Sequence, residues 1–108
     1  MIPLITPHFT SLGGAGSIQV TSTVTVSTST WYHIVGTYDG AGNAYIYVNG
    51  VSNTASGTAG TITWTSAQLG VGSNTSGSGN YFGGYMDELA IYGTELSAGQ
   101  VLNHYSNR

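Results

Sequence analysis

Between residues 31 and 50 the chain reads WYHIVGTYDGAGNAYIYVNG, a pattern that fits two antiparallel strands joined by a tight turn and little else. Strand geometry sends successive side chains to opposite faces. Trp31, His33, Val35 and Thr37 therefore share one face, and Tyr32, Ile34, Gly36 and Tyr38 share the other. Both faces carry large groups, so both are expected to be covered. Asp39-Gly40 supplies the turn, with Gly42 and Asn43 behind it as residues tolerant of positive φ. On the returning strand Tyr45, Tyr47 and Asn49 face one way and Ala44, Ile46 and Val48 the other, and Asn49-Gly50 is a second hairpin signal.

The flanks extend this pattern. Residues 1–16 hold both prolines and end in GGAG, which predicts an irregular N-terminal arm. Residues 17–29 alternate Ile18, Val20, Val24 and Val26 with hydroxylated residues, as two short strands or one bent strand would. A weak strand is expected from Val51, another around Ile62 and Trp64, and a slim one at AQLGVGS. NTSGSGN, residues 74–80, is too polar to pack and reads as a surface loop. YFGGYMDELAIYG offers a last long strand, with Phe82, Met86 and Leu89 to Ile91 as core contributors. One helix follows over residues 98–104, where Ser97 and Gln100 form an S-x-x-Q capping box and Leu96 and Val101 a hydrophobic staple.

Length and composition bound the function. The 108 residues make one domain, able to remove roughly two thirds of its unfolded surface from water. With 40% hydrophobic residues, eight Tyr and two Trp, a real core is available and disorder is disfavoured. The charged residues are only Asp39, Asp87, Glu88, Glu95 and Arg108, a net charge of −3, so no basic stripe exists to neutralise phosphates and nucleic acid is not an expected partner. A surface of Ser, Thr, Asn, Gly and Tyr suits neutral polar ligands such as sugars. Without Cys there is neither disulfide nor thiolate metal site. No clear signal peptide and no membrane-spanning run is evident.

Three pieces in fixed order, WYHIVGTYDGAGNAYIYVNG, LGVGS and YFGGYMDELAIYGTELSAGQVLNHY, closely resemble the C-terminal half of a concanavalin A-like, laminin-G-like jelly-roll domain. The matching features are Trp31 and His33, then Tyr38-Asp39-Gly40, Tyr47, Asn49-Gly50 and Leu69-Gly70. Gly72, Gly83, Asp87-Glu88, Tyr92 and Leu96-Ser97 complete them. The resemblance implies an all-β antiparallel β-sandwich, whole or shortened, over residues 17–108, closed by one short C-terminal helix. That family has several strands before its Trp-x-His strand, and here only some thirty residues precede Trp31. A reduced sandwich, a fold-back of residues 1–29 and cover by a second copy are the three alternatives. An open edge with little net charge inclines the chain towards a homo-oligomer.

Candidate sites follow from the same reading. Tyr45 and Tyr47 form an aromatic face on which a sugar ring could stack, with core packing as the alternative. Trp64 is either a second platform or a buried ring. Asn74, which opens an Asn-Thr-Ser sequon, and Tyr81 flank the polar rim loop and complete the glycan set. Asp87 reads as a buried acceptor for backbone N–H groups or, alternatively, as a calcium ligand. His33 reads as a hydrogen-bonded core residue. Asp87 and Glu88 are neighbours on an expected strand, so they point to opposite faces and cannot supply the facing carboxylates of glycoside hydrolysis. No catalytic residue is expected. The reading is a non-catalytic glycan-binding or adhesion module at an extracellular or virion surface, with a self-assembling structural protein as the alternative.

Overall fold

The computed structural model describes residues 7–13, 16–57, 66, 68–73 and 78–108. The described strands are β1 (His8–Gly13), β2 (Gly16–Thr21), β3 (Ile34–Tyr38), β4 (Asn43–Val48) and β5 (Val51–Ser56), and the chain ends in the helix α1 (Ala98–Ser106). β1 and β2 form an antiparallel hairpin with His8 opposite Thr21. β3, β4 and β5 form an antiparallel meander in sequence order, with Val35 opposite Tyr47 and Ile46 opposite Asn53.

Local chemistry sets the meander's turns. Between β3 and β4 the carboxylate of Asp39 accepts from the backbone N–H of Ala41 at 2.7 Å and of Asn43 at 3.0 Å. Its second oxygen accepts from the Asn43 side-chain amide at 2.6 Å. Gly40 and Gly42 take φ of 74° and 118°, the left-handed backbone such a loop needs. Between β4 and β5, Asn49 and Gly50 have φ of 50° and 81°, the two positive values of a type I′ turn, whose twist matches that of the strands. Asn49 also reaches back: its side-chain oxygen accepts from His33 N–H at 2.9 Å while its own N–H donates to the His33 carbonyl at 2.9 Å.

β4 is the centre of the packing because it is covered on both faces. On one face Ala44, Ile46 and Val48 are buried against Ile18 and Val20 of β2, with Tyr32, Tyr38, Val24 and Ala55 around them. On the other, Tyr47 packs with Leu96 and with Val101 of α1, flanked by Val35 and Tyr45. Burying side chains such as Ile46, Val48 and Val101 stabilises the fold by about 1.5–3 kcal/mol each in transfer free energy. α1 begins where expected: Ser97 Oγ accepts from Gln100 N–H at 3.2 Å, and Gln100 Oε1 accepts from Ser97 N–H at 2.8 Å. The helix also closes over the β4–β5 turn, where a Cβ added at Gly50 would lie 3.3 Å from Leu102.

The structure departs from the sequence expectations in several places. His8–Gly13 is a strand where an irregular arm was expected, because it finds its ladder partners in β2, and the hairpin's open end is tied by Ser22 N–H donating to the Pro7 carbonyl at 2.8 Å. Residues 22–29 leave the β1–β2 ladder after Thr21, keep a single β-bridge at Val26, and are held across β5 by Thr23 N–H donating to the Asn53 side chain at 3.0 Å. β3 starts at Ile34, so Trp31 to His33 precede it. Neither residues 68–73 nor residues 81–92 form a strand, since no described strand offers them a ladder. The core contributors expected there stand in the open: Phe82, Met86, Leu89 and Ile91 are at least half exposed. The strand expected around Ile62 and Trp64 lies outside the described residues.

Candidate functional site

Beside β3 the molecule carries a broad groove. One wall is residues 25–38, leading into and through β3, and the other is residues 82–95, with Asn103, His104 and Asn107 of the helical end closing it. The first wall is rigidly based. Residues 27–30 form a turn with Ser29 at φ 58°, and the backbone N–H of Ser27 donates to the Tyr32 hydroxyl at 3.0 Å. Tyr32 packs on the Ile46 cluster, so the turn is anchored in the core. Thr30 donates to the Thr28 carbonyl at 3.3 Å. This arrangement leaves Trp31 65% exposed beside a run of four hydroxylated residues.

The residues singled out from the sequence do not come together in that groove. Tyr45 and Tyr47 stack on one another, with ring centroids 6.3 Å apart and planes at 24°. Tyr47, however, is buried beneath Leu96 and Val101, so its ring packs in the core and is not an open sugar platform; Tyr45 is half-buried at the cluster's edge. Burial pushes the Tyr47 phenol up, helped by the negative charge of Glu95. Thr37, also buried, donates to Glu95 at 3.5 Å. Tyr81 is exposed and lies outside the groove lining. Trp64 and Asn74 fall outside the described residues.

Asp87 is exposed, not a buried acceptor, and its carboxylate accepts from the N–H of the next residue, Glu88, at 2.8 Å. Glu88 has φ of 52°, so the pair lies on a kinked backbone and the strand alternation expected for it does not hold. Among the described residues no three His, Cys, Asp or Glu side chains gather to hold a metal ion, and Asp87 has no assembled donor set for calcium.

His33 also departs from expectation. Its Nδ1 is buried with no hydrogen-bond partner, and its ring lies 5.9 Å from that of Tyr105, tilted by 43°. Burial lowers its pKa, and the positive charges of Arg108 and His104 act in the same direction against a smaller opposing pull from Glu88. Arg108 sits 4.1 Å above the Tyr105 ring and donates to the Tyr105 carbonyl at 2.8 Å.

The residues that sequence reasoning missed are the open aromatics: Trp31, Tyr85 (87% exposed) and Tyr92, the last with its ring 6.0 Å from His104. Their strand-like surroundings pointed to burial. The four hydroxylated residues ahead of Trp31 were the available signal for a surface turn.

An antiparallel hairpin laid over an antiparallel meander, with a capped helix on the far face and an aromatic groove beside it, defines an all-β domain with a surface suited to binding. The chain belongs to the concanavalin A-like lectin/glucanase superfamily, matching the laminin G family model over residues 6–102. No curated protein matches the sequence. Among solved structures it is similar to residues 221–444 of an S-layer domain-containing protein from Clostridium thermocellum, with a TM-score of 0.55 and 20% identity over 91% of this chain. The chain spans half of the length of that structure. At this identity the likeness concerns the fold alone. Among the described residues no helix is long and apolar enough to cross a membrane.

Proposed function

We propose that this domain is a non-catalytic binding module of an extracellular or virion surface, that it recognises a neutral glycan at the Trp31 turn, and that it works as a homo-oligomer. The observation that carries the sugar reading is the exposed Trp31 beside the hydroxyls of residues 27–30, on a turn anchored by Tyr32. An aromatic face stacks on the apolar side of a pyranose while neighbouring hydroxyls bond its OH groups, and no ion has to be desolvated. The superfamily's lectin members and the S-layer context of the structural relative support a surface role. The low charge of the chain fits an uncharged ligand.

The test is a glycan array followed by titration of tryptophan fluorescence with the best oligosaccharide. Trp31→Ala is expected to weaken binding roughly tenfold or more, with the melting temperature and the mass in solution unchanged. Absence of any saturable sugar response would overturn the glycan reading and leave a structural surface module. Hydrolysis of a glycan that disappears in Glu88→Gln would overturn the non-catalytic one.

A further inference from the structure

His33 is fixed at its backbone and unsatisfied at its side chain. Its N–H and its carbonyl are both held by Asn49, at 2.9 Å each, so the residue cannot shift without undoing the β4–β5 turn. Its Nδ1 is buried without a hydrogen-bond partner, and its ring rests on Tyr105 in the last turn of α1. A neutral imidazole can leave one lone pair unused at modest cost. An imidazolium carries N–H on both nitrogens, and the one at Nδ1 would be an ionised donor with no acceptor, the arrangement that costs most when buried.

The groups around the ring do not repair this. From α1 come the Arg108 guanidinium and the titratable His104, and from the 82–95 wall comes Glu88, whose pull is the smallest of those acting on His33. The Tyr105 ring attracts a cation, but Arg108 already lies 4.1 Å from its centroid. A protonated His33 therefore has to reach water.

The part of the molecule that can yield is the last turn of α1. Val101 is fully buried and holds the middle of the helix, whereas among residues 103–108 Tyr105 is the one that is not exposed. Its ring also covers the β4–β5 turn, where a Cβ added at Gly50 would lie 3.4 Å from it. Asn107 ties the turn to itself, donating its side-chain amide to the Asn103 carbonyl at 2.8 Å and to the Asn103 side-chain oxygen at 2.7 Å, so these residues move together. An exposed helix end attached through one ring is of low local stability.

We propose that protonation of His33 undocks Tyr105 and the last turn of α1 from the sheet, opening the helical end of the groove and weakening its hold on a ligand. Asn103, His104, Asn107 and Arg108 line the groove and leave with that turn, and the contact of Tyr92 with His104 is lost. Undocked, His33 returns to its ordinary value of 6.5, above the docked one, so undocking sets in as the pH falls below 6.5 and stops growing below the docked value. By reciprocity, a ligand that needs the docked turn holds the proton off His33. The effect on affinity rests on the glycan reading; the undocking itself does not.

Proton NMR of the 108-residue chain from about pH 8 to about pH 5 reads the undocking. The cross-relaxation between the His33 and Tyr105 rings is expected to disappear in step with the titration of the His33 Cε1 proton, while amide protection falls at residues 103–108 and persists in β4. His33→Phe is expected to keep the turn docked throughout. Because that variant replaces a packed ring and could lose its fold, His104→Gln is the second, expected to undock as the unaltered chain does. Titration with the best oligosaccharide reads the link to the groove: affinity is expected to fall roughly fivefold or more over the same pH range, and saturation to move the His33 titration to lower pH. A ring contact that survives protonation of His33, or a folded His104→Gln variant that no longer undocks, would overturn the switch. Undocking with unchanged sugar affinity would overturn its link to the groove and leave the glycan reading intact. No saturable sugar response would overturn the glycan reading and that link together, with the undocking decided by the NMR experiment.

Discussion

The imidazole of His33 lies against the ring of Tyr105, linking the approach to β3 with the last turn of α1, and it does so with a buried Nδ1 that no group satisfies. A neutral imidazole tolerates this position better than a charged one, first because burial disfavours the charged form, and then because protonation would add a cation near Arg108 and His104 with only Glu88 to offset it. The folded chain therefore binds a proton at His33 less readily than the unfolded chain, whose value is 6.5. Stability from this group is complete above that pH and is lost as the pH falls through the lower folded value. Urea midpoints measured from about pH 8 to about pH 5 should decline on the acid side, and His33→Phe should flatten that decline. An unchanged slope in the variant would count against the assignment.

Asp39 gives the opposite end of the pH scale. Hydrogen bonds from the Asn43 side chain first, and then from the backbone N–H groups of Asn43 and Ala41, pull its carboxyl from 3.8 down to about 2. The folded value is again the lower one, so the contribution is present above 3.8 and disappears as the pH falls towards about 2. Asp39→Ala should lower the melting temperature by several degrees at neutral pH, and the two melting curves should converge near pH 2. A constant gap at all pH values would refute the carboxylate's role in the turn.

The capping box at the start of α1 is reciprocal, so its two members should be coupled. Ser97→Ala should cost about 1 kcal/mol and Ser97→Asp should restore most of it, as read by urea denaturation. In a double-mutant cycle Ser97→Ala and Gln100→Ala should cost less together than the sum of the two. Strict additivity would mean that the box is geometric only.

Burial separates two aliphatic positions of similar chemistry, one on β4 and one on β5. Ile46, 1% exposed, should cost about 2–5 kcal/mol when replaced by Ala. Val51, 47% exposed at the start of β5, should cost no more than about 0.5 kcal/mol. Equal losses at both sites would contradict the packing described.

What could be read from the sequence was what short-range chemistry decides. Asp39-Gly40, Asn49-Gly50 and the Ser97/Gln100 pair each carry their geometry within four residues, and all three stand where the sequence put them. Pairing over distance was not legible in the same way. His8–Gly13 looked irregular because its strand character comes from β2, whereas residues 81–92 have strand composition and lack a ladder. The same limit governed the site. Tyr47 was offered as an open ring because alternation names a face but not its cover, and the cover is Val101, far along the chain. Trp31 was assigned to a strand face, and it projects from the turn that Tyr32 holds.

The two-sided cover of β4 has a consequence for how the chain is made. The β3–β4–β5 meander joins neighbours through tight turns and is the unit that closes fastest. The buried partners of its Ile46 face, Ile18 and Val20, precede it, and those of its Tyr47 face, Leu96 and Val101, follow it by some fifty positions. During synthesis from the N-terminus the first face is sheltered as soon as β4 emerges, while the second waits for Leu96 and Val101. In that interval the nascent sheet has one dry side and one sticky side, and a chaperone or a neighbouring chain would meet it at Tyr45 and Tyr47.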